Sequence, residues 1–329
     1  MDRFLIIGSN SFSGSHFINY LINKKKFVLG VSRSDEINKV FLPYKWSNNK
    51  KLYKFHKLDL NKDIDRIIQL IKKKKINIVV NFASQSMVSQ SWTTPLDWYY
   101  TNVISQVKLH DELRKLKNLK KYVHVSTPEV YGSTKNKIKE NYNFSPSTPY
   151  AASRAACDLH LRTFYKNYNF PVVFTRAANV YGPGQQLYRL IPKAILCGIL
   201  GSKFKLDGGG KSLRSFIHIK DVVDATYKIC LRGVIGQTYH LANTEVYKIK
   251  EVVNLIANKI GTPMKEFVEI APDRPGKDQA YLLNSKKIFK EMKWRSKTKL
   301  DDGIDETILW IKQNINIIKK IPSFYKHKK

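Results

Sequence analysis

Short apolar runs alternate with amphipathic stretches along the first two thirds of the chain. The runs are "FLIIG", "FVLGVS", "KFHKLDL", "NIVVNFA", "YVHVST" and "VVFTRA", and segments such as "GSHFINYLINK", "DIDRIIQLIKKKK" and "VISQVKLHDELRKL" lie between them. Short continuous apolar strands separated by helices of this length describe repeated strand-helix-strand units, hence a parallel sheet covered on both faces. The pattern therefore predicts an α/β fold, a Rossmann-type doubly wound parallel sheet. After about residue 176 the alternation loosens into the Gly- and Pro-containing loops "NVYGPGQQ" and "LDGGGKS", then returns in "FIHIKDVVDATYKIC" and "TYHLAN". A last part mixes short helices, the loop "APDRPGKD" and a helix expected around 302–318. The expected division is a sheet-forming domain over 1–175, rejoined by about 216–245, with 176–215 and 246–329 forming a smaller C-terminal lobe.

The first strand runs into "IIGSNSFSGSHF", where Gly8 and Gly14 frame a tight turn that would aim the amides of a following helix at a pyrophosphate. Ser11 stands where a middle glycine is usual, and its hydroxyl could bond a phosphate; Phe12 follows it. The second strand ends Ser32-Arg33-Ser34, with Asp35 just beyond. An acidic residue there suits the ribose of NAD and an arginine the extra phosphate of NADP, so Arg33 tilts the expectation toward NADP while leaving NAD open. Asp59 and Leu60 in "KLDL" and Ala83 in "NFAS" fall at strand ends along which the rest of the dinucleotide would run.

In "PYAASRAACD", Tyr150 and Arg154 stand at i and i+4 and share one helix face. A tyrosine that loses its proton near neutrality needs its pKa lowered from about 10 to about 7, roughly 4 kcal/mol, which one cation about 4 Å away can supply. Any amphipathic helix throws up such pairs, so the context has to decide.

The 329 residues exceed the size at which one core usually stops growing. No apolar run approaches a bilayer-spanning length, and the start reads as a buried strand and turn rather than a signal peptide, which points to a cytoplasmic protein with no membrane partner. Cys157, Cys197 and Cys230 lack metal-ligand spacing, so no metal is expected and the thiols read as buried in a reducing compartment. The formal net charge of +32 admits nucleic acid as a partner. The lysines, however, are spread through the chain beside many asparagines and isoleucines, and no aromatic-basic recognition motif accompanies them, so no nucleic-acid partner is expected.

The ordered set "GSNSFSG", "NFASQS", "STPEVYG", "PYAASR", "TRAANVYGPG", "LRSFIHIKD" and "DRPGKD" resembles the extended short-chain dehydrogenase/reductase family, nearest its nucleotide-sugar 4,6-dehydratases such as those acting on dTDP-glucose and GDP-mannose. The resemblance covers nearly the whole chain. It implies a lyase that retains NAD or NADP, oxidises C4 of a nucleotide-diphosphate hexose, eliminates water across C5 and C6, and returns the hydride to C6. Tyr150 would be the base at the 4-hydroxyl. Arg154 takes the place of the family's lysine, keeping the charge but not the shape. Thr127 would bond the 4-oxygen and Glu129 would take the C5 proton.

An aspartate that some members carry between them is Pro128 here, which cannot donate a proton. The resemblance places Ser86, Asn179, Arg189, Lys193, Arg214, Arg274 and Tyr281 around the sugar nucleotide. It also implies a homodimer through "LDWYYTNVISQVKLHDEL" and "YAASRAACDLHLRTF", with Trp98, Tyr99 and Tyr100 in that seam or in the core. A UDP-glucuronate decarboxylase, a C4 epimerase and a 4-dehydrogenase share these features and are the alternatives; a nucleic-acid-binding scaffold is the alternative of another class.

Overall fold

The computed structural model of the chain describes residues 2–46 and 50–328. Its centre is a seven-stranded sheet, all parallel: β1 (Arg3–Ile7), β2 (Phe27–Ser32), β3 (Tyr53–Lys57), β4 (Ile78–Asn81), β5 (Lys121–Ser126), β6 (Val172–Ala177) and a last strand, Thr238–Leu241. From one edge the order is Thr238–Leu241, β6, β5, β4, β1, β2, β3. The chain winds outward from β1 in both directions, so the crevice beyond the carboxyl ends of β1 and β4 is the switch point where α/β sheets bind ligands.

Strand periodicity explains why both faces are covered. Phe4 and Ile6 point into one core and Leu5 and Ile7 into the other, each almost wholly buried. Ile78 and Val80 alternate with Val79 in the same way. Each such side chain contributes about 1.5–3 kcal/mol of burial. A one-residue slip of a strand would exchange two cores of different shape.

One face is covered by α1 (Phe12–Asn23) and the helix Ile219–Arg232, which pack together. The other carries α2 (Ile64–Lys74) and a long helical stretch built of α3 (Pro95–Tyr99), the five-residue π turn Tyr100–Ile104 and α4 (Ser105–Arg114). Behind it lies α5 (Pro149–Tyr168), started by the Thr148 hydroxyl, which accepts from Ala151 N at 3.1 Å, and by a proline in its first turn. A third core is formed by the helices Leu190–Leu200, Ile249–Ile260 and Leu300–Gln313. Two short parallel pairings flank it, Asn179–Tyr181 with Phe216–His218 and Phe204–Asp207 with Val268–Ala271. No described helix is long and apolar enough to cross a membrane.

Candidate active site

The β1–α1 turn is built by close approach. Gly8 has φ +83°, and a Cβ on it would lie 2.7 Å from Ala83 N; a Cβ on Gly14 would lie 2.3 Å from Gly8 O. Only glycine fits either place. The Ser11 hydroxyl donates to Gly8 O at 2.6 Å and accepts from Gly14 N at 3.1 Å, capping α1. In the chain alone that hydroxyl closes the turn and caps the helix it starts.

Above the turn opens a cavity of about 510 Å³, within the usual range for small-molecule sites. Gly8, Ser11, Arg33, Asp59, Leu60 and Ala83 all line it. Phe12 is buried in the core behind the turn and Gly14 shapes it from behind. At the end of β2, Ser32 Oγ accepts from Asn10 N at 3.0 Å, and Asn10 Nδ2 donates to the carbonyls of Ser34 and Asp35. The Asp35 carboxylate is exposed and drawn to Lys57 at 2.7 Å, which holds its pKa below the ordinary value. Across the crevice the π turn buries Asn102, which accepts from Gln85 N at 2.8 Å and donates to Gln85 O at 3.0 Å, fixing the loop after β4. The cavity size, the glycine approach and the helix start together fit a dinucleotide.

A second group of side chains gathers where β5 ends. Thr127 caps the short 3-10 turn Pro128–Tyr131, its Oγ accepting from Glu129 N at 3.3 Å, and Pro128 takes the first position of that turn. Glu129 is partly buried and feels the charges of Asp278, Arg214, Arg189 and Arg274. Burial first, and Asp278 second, push its pKa up to about 7, against the three arginines. The Tyr150 phenol lies within hydrogen-bonding reach of Thr127 and feels Glu129, Arg154 and Arg189. Its pKa is raised above 10, not lowered as the Tyr150–Arg154 spacing suggested, because burial and the Glu129 carboxylate outweigh the arginine.

Arg154 itself is turned beneath the sheet. Its Nη2 donates to the Val125 carbonyl and lies 3.4 Å from His124 Nε2, while Nε and Nη1 have no partner among the described residues. Donor atoms of His110, His124 and Cys157 sit within 4.8 Å of one another in this interior, but the adjoining guanidinium opposes a metal cation there. His124 and Arg176 both meet Asp158, at 3.3 and 2.7 Å, completing a buried charge network behind the site.

Contacts join most of the residues assigned to the sugar nucleotide. Arg189 Nη2 donates to Ser86 Oγ at 3.0 Å, and Tyr281 OH donates to Asn179 Oδ1 at 2.6 Å. The Arg214 guanidinium lies 4.1 Å over the Tyr281 ring and donates to the carbonyls of Leu213, Gln279 and Asp278, so a good part of its fork already holds the loop 278–281. Arg274 pairs with Asp207 at 2.9 Å and remains half-exposed. Lys193 stands one turn into the helix Leu190–Leu200, partly buried, and among the described residues no hydrogen bond ties its ammonium to this group. Asp278 was not singled out from the sequence; its place in "RPGKD" was the available signal, but its nearness to Glu129 is a tertiary fact.

A family model for GDP-mannose 4,6 dehydratase matches residues 5–307. The chain belongs to this family, the nucleotide-sugar 4,6-dehydratases of the extended short-chain dehydrogenase/reductases. It is 31% identical to the human dTDP-D-glucose 4,6-dehydratase, over 97% of this chain and 92% of that one. To the Escherichia coli dTDP-glucose 4,6-dehydratase it is 28% identical, over 95% and 94%. A dTDP-glucose 4,6-dehydratase from Streptomyces venezuelae, solved with NAD bound, superposes with a TM-score of 0.89 at 27% identity, covering 95% of this chain and 98% of that one.

Proposed function

We propose that the chain is an NAD(P)-dependent nucleotide-sugar 4,6-dehydratase. The observation that carries this reading is the convergence of Thr127, Glu129 and Tyr150 at the end of β5, with Arg189, Arg214 and Arg274 around them. When bound, the oxidised nicotinamide accepts the C4 hydride and later gives it back to C6. The chain's own work is proton movement and positioning. Thr127 holds the 4-oxygen beside Tyr150, whose oxygen would accept the 4-hydroxyl proton once the positive charge of a bound oxidised nicotinamide joins that of Arg154, beneath β5, in offsetting the burial that raises its pKa in the chain alone.

The new C4 carbonyl acidifies C5. Glu129, poised near neutrality, takes the C5 proton and can deliver it to the departing C6 hydroxyl, so that one water leaves. Pro128 contributes no proton. The arginines supply charge-assisted bonds suited to a diphosphate, and ordering of that diphosphate fixes the sugar over Tyr150.

Three buried free cysteines are in keeping with work in the cytoplasm. A face of the α3–α4 stretch leaves Leu96 80%, Tyr100 43% and Ile104 45% exposed, with Leu159 of α5 46% exposed, and supports pairing with a second copy. Trp98, by contrast, is wholly buried and belongs to the core. Incubation with dTDP-glucose, GDP-mannose, UDP-glucose and UDP-glucuronate, followed by product mass, tests the activity. Loss of water is expected; loss of carbon dioxide, an unchanged mass or loss of two hydrogens would replace it by decarboxylation, epimerisation or dehydrogenation.

A further inference from the structure

The dinucleotide cavity has a wall that neither the Rossmann motifs nor the sugar-nucleotide residues supply. After the short helix Ile315–Ile318, whose Ile318 is wholly buried in the third core, the segment Ile321–Lys328 leaves that core and crosses the crevice. Its Tyr325 ring packs edge-on to Tyr188 at 5.4 Å, and its hydroxyl lies 3.4 Å from Gln85 Oε1. Gln85 Nε2 donates to the Lys328 carbonyl at 2.7 Å. His327 stacks on Trp98 with ring centroids 5.0 Å apart and an interplanar angle of 12°, and its Nε2 meets Asp97 Oδ2 at 2.7 Å. The segment is thus held on both banks, by the third core on one side and by α3 on the other.

We infer that Ile321–Lys328 is a strap that closes the dinucleotide cavity and sets how fast the cofactor leaves. The inference rests on the reading of that cavity as a dinucleotide site. The strap lines the space without filling it: about 510 Å³ stays open among Pro322, Phe324, Tyr325, Lys326 and the Gly8 turn. Lys326 and Lys328 bring two cations to that wall, complementary to a diphosphate. A reaction that takes a hydride from a sugar and returns it to the same sugar has no need to exchange its cofactor at each turnover. A strap that slows exchange is therefore compatible with turnover, whereas an enzyme releasing reduced cofactor each cycle would be throttled by it.

The strap's anchors separate from the chemistry at His327. The test uses the full chain and the substitutions His327→Ala and His327→Gln, together with a chain ended after Lys320. Reduced dinucleotide is bound, and its release into excess unlabelled NAD(P) is followed by its fluorescence. His327→Ala, which removes a stacked, charge-assisted contact, should speed release about tenfold; His327→Gln, which can still donate to Asp97, should restore part of the difference. The shortened chain should release faster still. Equal release rates for the unsubstituted chain and His327→Ala would overturn the strap and leave the dinucleotide site standing. Failure of the unsubstituted chain to bind dinucleotide would overturn both.

Discussion

Glu129 offers a prediction in which catalysis and stability must move together. In the Glu129→Gln protein the side chain keeps its shape and its arginine neighbours but can neither ionise nor take a proton. The folded protein holds Glu129 at about 7 against an ordinary 4.5, first by burial and then by Asp278. At about 1.36 kcal/mol per tenfold that difference is roughly 3 kcal/mol, which partial exposure to solvent reduces to about 1–3 kcal/mol. Because the folded value lies above the unfolded one, the cost is absent below about pH 4.5, grows between 4.5 and 7, and is complete above 7. The Gln protein should therefore gain stability over the unsubstituted chain as pH rises, by about 1–2 kcal/mol between pH 5 and pH 8, read as a widening gap in denaturant midpoints. Its dehydration rate should fall by about 10²–10⁴, while C4 oxidation continues and reduced nicotinamide accumulates. For the unsubstituted chain, kcat/KM for water loss should climb with an acid limb near pH 7. A pH-independent stability difference, or undiminished dehydration by the Gln protein, would refute the assignment.

Two further outcomes follow from neighbouring groups. Asp278→Asn keeps the acceptor for Ser147 Oγ at 2.9 Å but removes the like charge facing Glu129, so the acid limb of kcat/KM should move to lower pH; an unmoved limb would remove Asp278 from the electrostatics of the site. The proposed pairing through the α3–α4 face predicts that aspartates at the exposed Leu96 and Ile104 lower the sedimentation coefficient to that of a monomer with the fold intact by circular dichroism; a coefficient that the substitutions leave unchanged would refute pairing through this face.

Each strand of the first two thirds was legible because a strand's burial pattern is written in consecutive residues: "FLII" alternates into two cores wherever it is placed. The Gly8–Gly14 turn was equally local, since it is closed by bonds within a few residues. The sequence by itself thus determined the layered α/β architecture, the crevice at the ends of the strands and which residue types stand at its rim. Only the tertiary structure decided how those residues behave. Tyr150 and Arg154 are four apart in the chain, yet the helix packs so that one is buried beside Glu129 and the other reaches beneath β5, and desolvation reverses the expected direction of the phenol's pKa. Asp278 faces Glu129, and His327 reaches Asp97 across 230 residues of sequence. Proximity of this kind depends on how separate cores dock, and the dielectric around a charge on everything packed against it, so neither is carried by any short stretch of the chain.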